Sequence, residues 1–312
     1  MTDKELFNQG PPKILDNTMR TDWRLCPRRF YWNSRGYTYK GKPIYFTSGS
    51  AWHLFIERYY TYLPSEPQAL AASAAIHEAK TFYRDNSIGD IEVPKTDAWE
   101  NLEQLMRLYA ETYPAESWTL LSGETGWLWP IHPELMYGGS LDGYIEWPGY
   151  GILAIENKTV GMYLNESYVN QWSFAPQITG ILWGLEELLG KQPFGCLMNL
   201  TSKQPRSPKS KATTPQFTRR LEKRTSVQLE EFEHEVMRDH EDIKYEWKRW
   251  VWARTVNPIE CAGGIGRKRC LYADLCLTPL PFTEIDPLTT ANHITLRDKP
   301  WEPWNRKGGQ EE

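Results

Sequence analysis

Residues 135–158 constrain the fold more than any other stretch. Leu135 to Trp147 reads as a strand, Pro148-Gly-Tyr-Gly151 as a tight turn, and Ile152 to Lys158 as the returning strand. The run Ile152-Leu-Ala-Ile155 lacks polar alternation, so this strand is expected to be buried on both faces. Such a strand needs cover from both sides, which an all-antiparallel sheet with one wet face does not give. Gly138-Gly139 inside the first strand marks a bulge or a close backbone approach.

The flanks supply the cover. Asp16 or Asn17 caps a helix running to about Trp32, kinked or split at Pro27. Ser48-Gly49-Ser50 caps a second helix, Ala51 to Tyr62, with apolar positions Trp52, Phe55, Ile56, Tyr59 and Tyr60 at helical spacing. Two more helices are expected over about 67–84 and 97–112, then a strand or bent pair over Trp118 to Trp129. Past the hairpin come a long helix from Ser167 to Leu189, ended by Gly190, and a strand from Phe194 to Leu200. A strand over Gln216 to Arg224 and a charged helix from Ser226 to about Arg254 follow, with Val227, Phe232, Val236, Ile243, Trp247 and Val251 as its packing stripe. Helices, a small sheet with an inserted helix, then a helix make an α/β or α+β plan.

Composition narrows the class. Apolar residues make up 40% and charged residues 24% of 312, enough for a packed core. The net charge of −4 argues against a histone-like binder. No run approaches the ~20 apolar residues that span a bilayer, and Met1 to Gly10 has no apolar signal region, so a cytoplasmic protein with no membrane partner is expected. Fifteen Trp read first as a large aromatic core, with base-stacking platforms as the alternative.

The chemistry centres on the hairpin. Asp142 and Glu156 lie 14 positions apart across the turn, so their carboxylates can converge on one divalent cation, with Mg²⁺ or Mn²⁺ the natural choice. Glu156 and Lys158 are two apart on a strand and share a face. The ammonium then points at whatever the cation holds, which is the equipment of phosphodiester hydrolysis. The bland alternative is a cross-strand surface ion pair. Charges ending an interior strand, and His53 on the helix 51–62 as a third ligand, favour the chemical reading.

These residues resemble a family. Gly49…His53, Gly139-Ser-Leu-Asp142-Gly, Glu156-Asn157-Lys158-Thr and Gln177 on the next helix are similar to the PD-(D/E)xK nuclease superfamily, RecB-like branch, over about residues 15–280. The resemblance implies a restriction-endonuclease-like core, a small mixed sheet flanked by helices. It implies His53, Asp142, Glu156 and the Asn157 backbone carbonyl as metal ligands, Lys158 as the catalytic lysine and Gln177 as the helix residue near substrate, with Gln171 as an alternative to Gln177. Leu141 stands where the family name has proline.

Five cysteines, an odd count, argue against a disulfide framework. Cys261, Cys270 and Cys276 fall within 16 residues, and Cys26 lies in Leu25-Cys-Pro-Arg-Arg-Phe-Tyr. Four thiolates can hold a [4Fe–4S] cluster or Zn²⁺; the absence of a C-x₂-C pair tilts toward iron–sulfur. One early Cys-Pro-x-x-Phe plus three late Cys resembles the CRISPR-associated and phage-encoded Cas-four-type exonucleases and the bacterial AddB-type helicase–nuclease subunits. In that reading the cluster joins the first helix to the C-terminal segment. Cys196 reads as a strand core residue.

Lys203, Arg206, Lys209, Lys211, Arg219, Arg220, Lys223 and Arg224, opposed by Glu222 alone, could track phosphates or form a solvated hairpin. Arg24, Arg28 and Arg29 beside Trp23, Phe30, Tyr31 and Trp32 could form an electropositive rim, or an aromatic helix packed in the core. The expected organisation is a flexible lead (1–15), a helical part (16–115), a nuclease core (116–256), an iron–sulfur segment (257–280) and a polar tail (281–312). The expected function is a metal-dependent DNA exonuclease acting on single strands or DNA ends. A catalytically weak DNA-binding adaptor serving recombination or CRISPR adaptation proteins is the second reading, and a zinc-stabilised domain without nuclease activity the third.

Overall fold

The computed structural model describes residues 10–87, 92–206, 214–264 and 268–306. The chain divides into two compact units. The first gathers residues 1–41, 128–139 and 230–303, and the second 42–127, 140–229 and 304–312.

The second unit is a helix–sheet sandwich. Its five-stranded sheet has the order β1 (Thr119–Ser122), β2 (Gly143–Trp147), β3 (Gly151–Val160), β4 (Gly195–Ser202) and β5 (Phe217–Glu222). The β3–β4 pair is parallel and the other pairs are antiparallel, so the sheet is mixed. On one face pack α1 (Ile44–Tyr62), α2 (Gln68–Asn86) and α3 (Trp99–Thr112). Trp52, Phe55, Tyr59 and Tyr109 are fully buried there, against Ile145, Leu153, Ile155 and Leu197 of the sheet. The parallel crossover from β3 to β4 passes through α4 (Pro176–Leu189), whose Ile178, Ile181, Leu182 and Leu185 are buried. In β3, Leu153 to Asn157 are buried without a break, as the apolar run predicts, and β4 is buried along its whole length.

Several expected boundaries shift, each for a local reason. The strand expected over Leu135 to Trp147 is two strands, Leu135–Leu141 and Gly143–Trp147, separated at Asp142 and belonging to different sheets. The helix expected to start at Ala51 begins at Ile44, because Ser48 is not a cap: it lies within the helix, fully buried, and bonds the Tyr45 carbonyl and Asp97. The helix expected over Ser167 to Leu189 is a short helix (Glu166–Asn170), a 3₁₀ turn (Gln171–Phe174) and α4. Pro176 forces the break: it cannot donate to a preceding turn and it sets Ala175 extended. Gly190 closes α4 in the left-handed conformation at φ 63°.

The first unit holds α5 (Ser226–Arg249) from Glu230 onward, with Asn17–Leu25 and Pro27–Ser34 split at Cys26 by Pro27, and Asp16 as the N-cap. Residues 14–15, expected in a flexible lead, instead pair in parallel with Met136 and Tyr137, and Leu15 is fully buried. Residues 1–9 of that lead lie outside the described residues. Phe232, Val236, Ile243 and Trp247 of α5 are buried as expected; Val227 and Val251 are more than half or half exposed, because they lie at or beyond the helix ends where the stripe has run off its partner surface. Residues 282–306, read as tail from composition, carry a 3₁₀ turn (Phe282–Glu284), a helix (Pro287–Thr290) and a strand (Ile294–Leu296) paired with Tyr37–Tyr39. Among the described residues no helix is long and apolar enough to cross a membrane.

Candidate active site

The site lies in the second unit, where β2 and β3 pair with Gly143 opposite Ile155. That register puts Asp142, at the entry to β2, beside Glu156 and Asn157. The Asn157 backbone N–H donates to Asp142 Oδ2 at 2.6 Å, and His53 Nδ1 of α1 lies 3.1 Å from Asp142 Oδ1. Gly143 makes this corner possible. A Cβ there would lie 2.7 Å from the Ser122 carbonyl oxygen, so only glycine lets the chain turn against β1.

Alternation along β3 divides the chemistry between two faces. Asn157 faces the α3 side, where Asn199 Nδ2 donates to its Oδ1 at 2.8 Å and also to the Tyr109 hydroxyl. Glu156 and Lys158 face α4. Lys158 Nζ lies 2.5 Å from Glu156 Oε1, and Gln177 Nε2 of α4 donates to the same oxygen at 2.8 Å. Gln177 is therefore the helix glutamine at the site; Gln171 bonds the Tyr168 carbonyl.

Charge couples the group. Burial pushes Glu156 up to about 7; Lys158 opposes that rise and Asp142 adds to it. Burial also works against ionised Asp142, but His53 and Lys158 outweigh it and hold Asp142 below its ordinary value. Burial would lower Lys158 and His53, yet the carboxylates win, Glu156 for the first and Asp142 for the second, and both are raised. The result is two like charges in one buried place, relieved by two cationic groups. The donor set of two carboxylates and an imidazole suits a hard divalent cation. Among the described residues no three His, Cys, Asp or Glu side chains already form a metal-holding group.

Three neighbours escaped the sequence reading. Glu57 stands one helical turn after His53, is raised by burial, and feels Asp142 among other carboxylates. Its spacing of four from His53 was the available signal. Trp172 carries the Lys158 ammonium 5.6 Å from its ring centroid, and Tyr168 packs edge-on to Trp172 at 6.0 Å. Neither carries a motif; the break at Pro176 places them.

Most described cations of the basic segment have partners within their own unit. Lys203 is buried on Asp97, and Arg219 is paired with Glu116 and stacked over Tyr113. Arg220 pairs with Glu222, Arg224 bonds Thr179 and Ala175, and Arg206 bonds the Thr214 carbonyl. A strand within a packed sheet turns half its cations inward, and these found internal partners. Lys223 lies over the Phe194 ring. Lys209 and Lys211 lie outside the described residues.

In the first unit, Cys26, Cys261, Cys270 and Cys276 are all free thiols. Cys270 is raised by burial, and Cys26 and Cys261 are close enough to push it further. Burial raises Cys276 too, with Arg28 opposing and Cys26 adding. The Cys270 N–H donates to the Cys261 carbonyl. Cys26 and Cys261 thus act on Cys270, and Cys26 on Cys276, while among the described residues no three of these thiols form a metal-holding group. Cys196 is fully buried in β4 of the second unit, as expected of a core residue. The arginine rim is not free either: Arg24 pairs with Asp239 and Glu235, Arg29 with Asp22, and Arg28 bonds the Trp252 carbonyl. Trp23, Phe30 and Trp32 are core.

No protein-family model and no curated protein matches the chain. Among solved structures it is similar to a Eubacterium rectale protein named "Putative exonuclease", with a TM-score of 0.50 and 12% identity. The likeness covers 88% of this chain and 96% of that one. At that identity it establishes the fold: a mixed α/β architecture with sheets flanked by helices.

Proposed function

We propose that this chain is a metal-dependent DNA nuclease, an exonuclease that hydrolyses phosphodiester bonds of single strands or DNA ends. One observation carries the reading: Asp142 held by His53 and the Asn157 N–H, and Glu156 held by Lys158 and Gln177, meet at the paired ends of two strands. The exonuclease name of the Eubacterium rectale protein with this fold adds support.

His53, Asp142, Glu156 and the Asn157 carbonyl would hold Mg²⁺ or Mn²⁺, which when bound supplies Lewis acidity and a water of lowered pKa. The chain's own residues do the rest. Lys158, its pKa raised, stays an ammonium at neutral pH and can orient the attacking water or donate to a phosphate oxygen. Gln177 fixes the Glu156 carboxylate from α4, and the Asn157 N–H fixes Asp142. The Trp172 ring lies beside the Lys158 ammonium and limits where it can move. Cys26, Cys261, Cys270 and Cys276 would hold a [4Fe–4S] cluster, with Zn²⁺ as the alternative occupant of the same thiolates. Recombination or CRISPR adaptation proteins are the partners such an activity would serve.

The test is degradation of labelled single-stranded DNA with Mn²⁺ or with EDTA, by the native protein and by Lys158→Ala. The expected result is Mn²⁺-dependent degradation that falls by roughly a hundredfold or more in the variant, with DNA binding in EDTA retained. A native protein that binds DNA but degrades neither single strands nor duplex ends overturns the enzyme and leaves the adaptor.

A further inference from the structure

The first unit holds a cavity of about 670 Å³, within the range of small-ligand sites. Its aromatic walls include Tyr31, Trp32, Trp250 and Phe282, and its charged members are Arg35 and Asp286. The rings pack edge-on or tilted against one another. Tyr31 lies 6.2 Å from Trp250 and 5.1 Å from Phe282, and Trp32 lies 5.0 Å from Phe282.

Trp250 is not explained by packing. Trp247 and Trp252, on either side of it, are buried and meet edge-on at 5.2 Å. Trp250 is 50% exposed and adopts φ 56°, the left-handed region, as no other non-glycine residue does among those described. A bulky L-residue reaches that conformation only against steric resistance. The backbone therefore presents an indole at the cavity instead of folding it into the core. The two residues before it, Lys248 and Arg249, are exposed cations in the last turn of α5.

A half-exposed π-face that follows two exposed cations in the chain suits a flat aromatic ligand on an anionic tether, and a polar edge narrows it further. Arg35, a donor, stacks over Tyr31 and Trp247. Asp286 is an acceptor, with one oxygen bonded to the Leu288 N–H. We infer that this cavity is a nucleobase-stacking subsite in which the half-exposed Trp250 indole supplies the face and Arg35 and Asp286 meet the base edge. The inference rests on the nucleic-acid reading above. The base can come from a DNA strand or from a free nucleotide, since both present the same ring and phosphate.

The experiment is binding of the full chain in EDTA, so that turnover plays no part. Three probes are used: a deoxyadenosine oligonucleotide, an abasic strand of the same length, and dAMP followed by Trp fluorescence. The base-bearing strand is expected to bind roughly 5- to 150-fold tighter than the abasic one, the range of one stacked base. Trp250→Gly removes the ring and gives the left-handed position to the residue that adopts it freely, so the fold is kept, as a melting curve checks. The ratio should collapse toward one in Trp250→Gly and return in Trp250→Phe. Saturable quenching by dAMP that competes with the strand supports a subsite open to free nucleotide; no dAMP binding with the strand ratio intact supports a strand base. A ratio near one in the native protein, or one unchanged in Trp250→Gly, overturns the subsite. Base-dependent binding without DNA cleavage would retain the subsite and remove the nuclease; cleavage without base-dependent binding would do the reverse.

Discussion

Lys203 and Asp97 form an ion pair at 2.5 Å with 5% and 10% of their side chains exposed, and the Ser48 hydroxyl bonds both. Lys203 outweighs the burial of Asp97 and holds its carboxyl below the ordinary value. A lysine that composition places in a basic loop is thus an internal clamp between the end of β4 and the helical layer of its own unit.

Lys203→Met should destabilise the protein by about 3–5 kcal/mol, because Asp97 is left as an uncompensated buried charge. Lys203→Met with Asp97→Asn should recover part of that loss. Urea denaturation measures both. DNA affinity of the folded variant should not change; a fall in affinity with unchanged stability would return Lys203 to the phosphate contacts.

Gly143→Ala should cost about 1–3 kcal/mol, since its Cβ would meet the backbone oxygen of Ser122 at 2.7 Å and one strand must move. Because the displaced residue adjoins Asp142, nuclease activity should fall more than stability predicts. Gly149→Ala, in the turn of the same hairpin with open space around its Cβ but φ 85°, is the control for backbone strain without a clash. Equal effects of the two on activity would mean that the corner does not position Asp142.

Anaerobic purification should yield a brown protein with about four irons per chain. Cys26→Ser should lose iron and lower the melting temperature, whereas Cys196→Ser should leave iron content unchanged, because Cys196 belongs to the core of the other unit. A colourless native protein carrying zinc would assign the thiolates to Zn²⁺.

Asp16 caps its helix by accepting the Met19 N–H, but burial raises its pKa to about 6. A carboxyl raised in the folded state favours folding most below its unfolded value near 3.8, and that contribution is lost as pH rises to 6. Asp16→Asn keeps the cap and removes the buried charge. It should therefore stabilise the protein by on the order of 1–3 kcal/mol at pH 7.5 and by little at pH 4. Melting temperatures at the two pH values measure this; a gain that is equal at both would mean that the carboxyl is not raised.

The sequence by itself determined the hairpin, its turn and the interior character of Leu153 to Ile155, because an unbroken apolar run admits no wet face. It also determined the pairing of Asp142 with Glu156, since a short turn fixes register within a few residues. Gln177 or Gln171 was implied only by the family resemblance, and the folded chain decides for Gln177 by setting it against Glu156; Cys196 as a core residue followed from its apolar neighbours.

Tertiary structure decided what depends on long-range partners. No local rule tells that Lys203 and Arg219 face inward, because a cation looks alike in sequence whether water or a buried carboxylate solvates it. Residues 282–306 are polar and Pro-rich, yet Ile294–Leu296 becomes a strand because Tyr37–Tyr39 offers an edge. Trp247 reads as part of a helical packing stripe, but nothing local sets Trp250 apart from Trp252; only the folded backbone separates the two rings that pack from the one that is held out. The influence of Cys26 on Cys270 and Cys276, likewise, comes from the folding of the first unit and not from spacing along the chain.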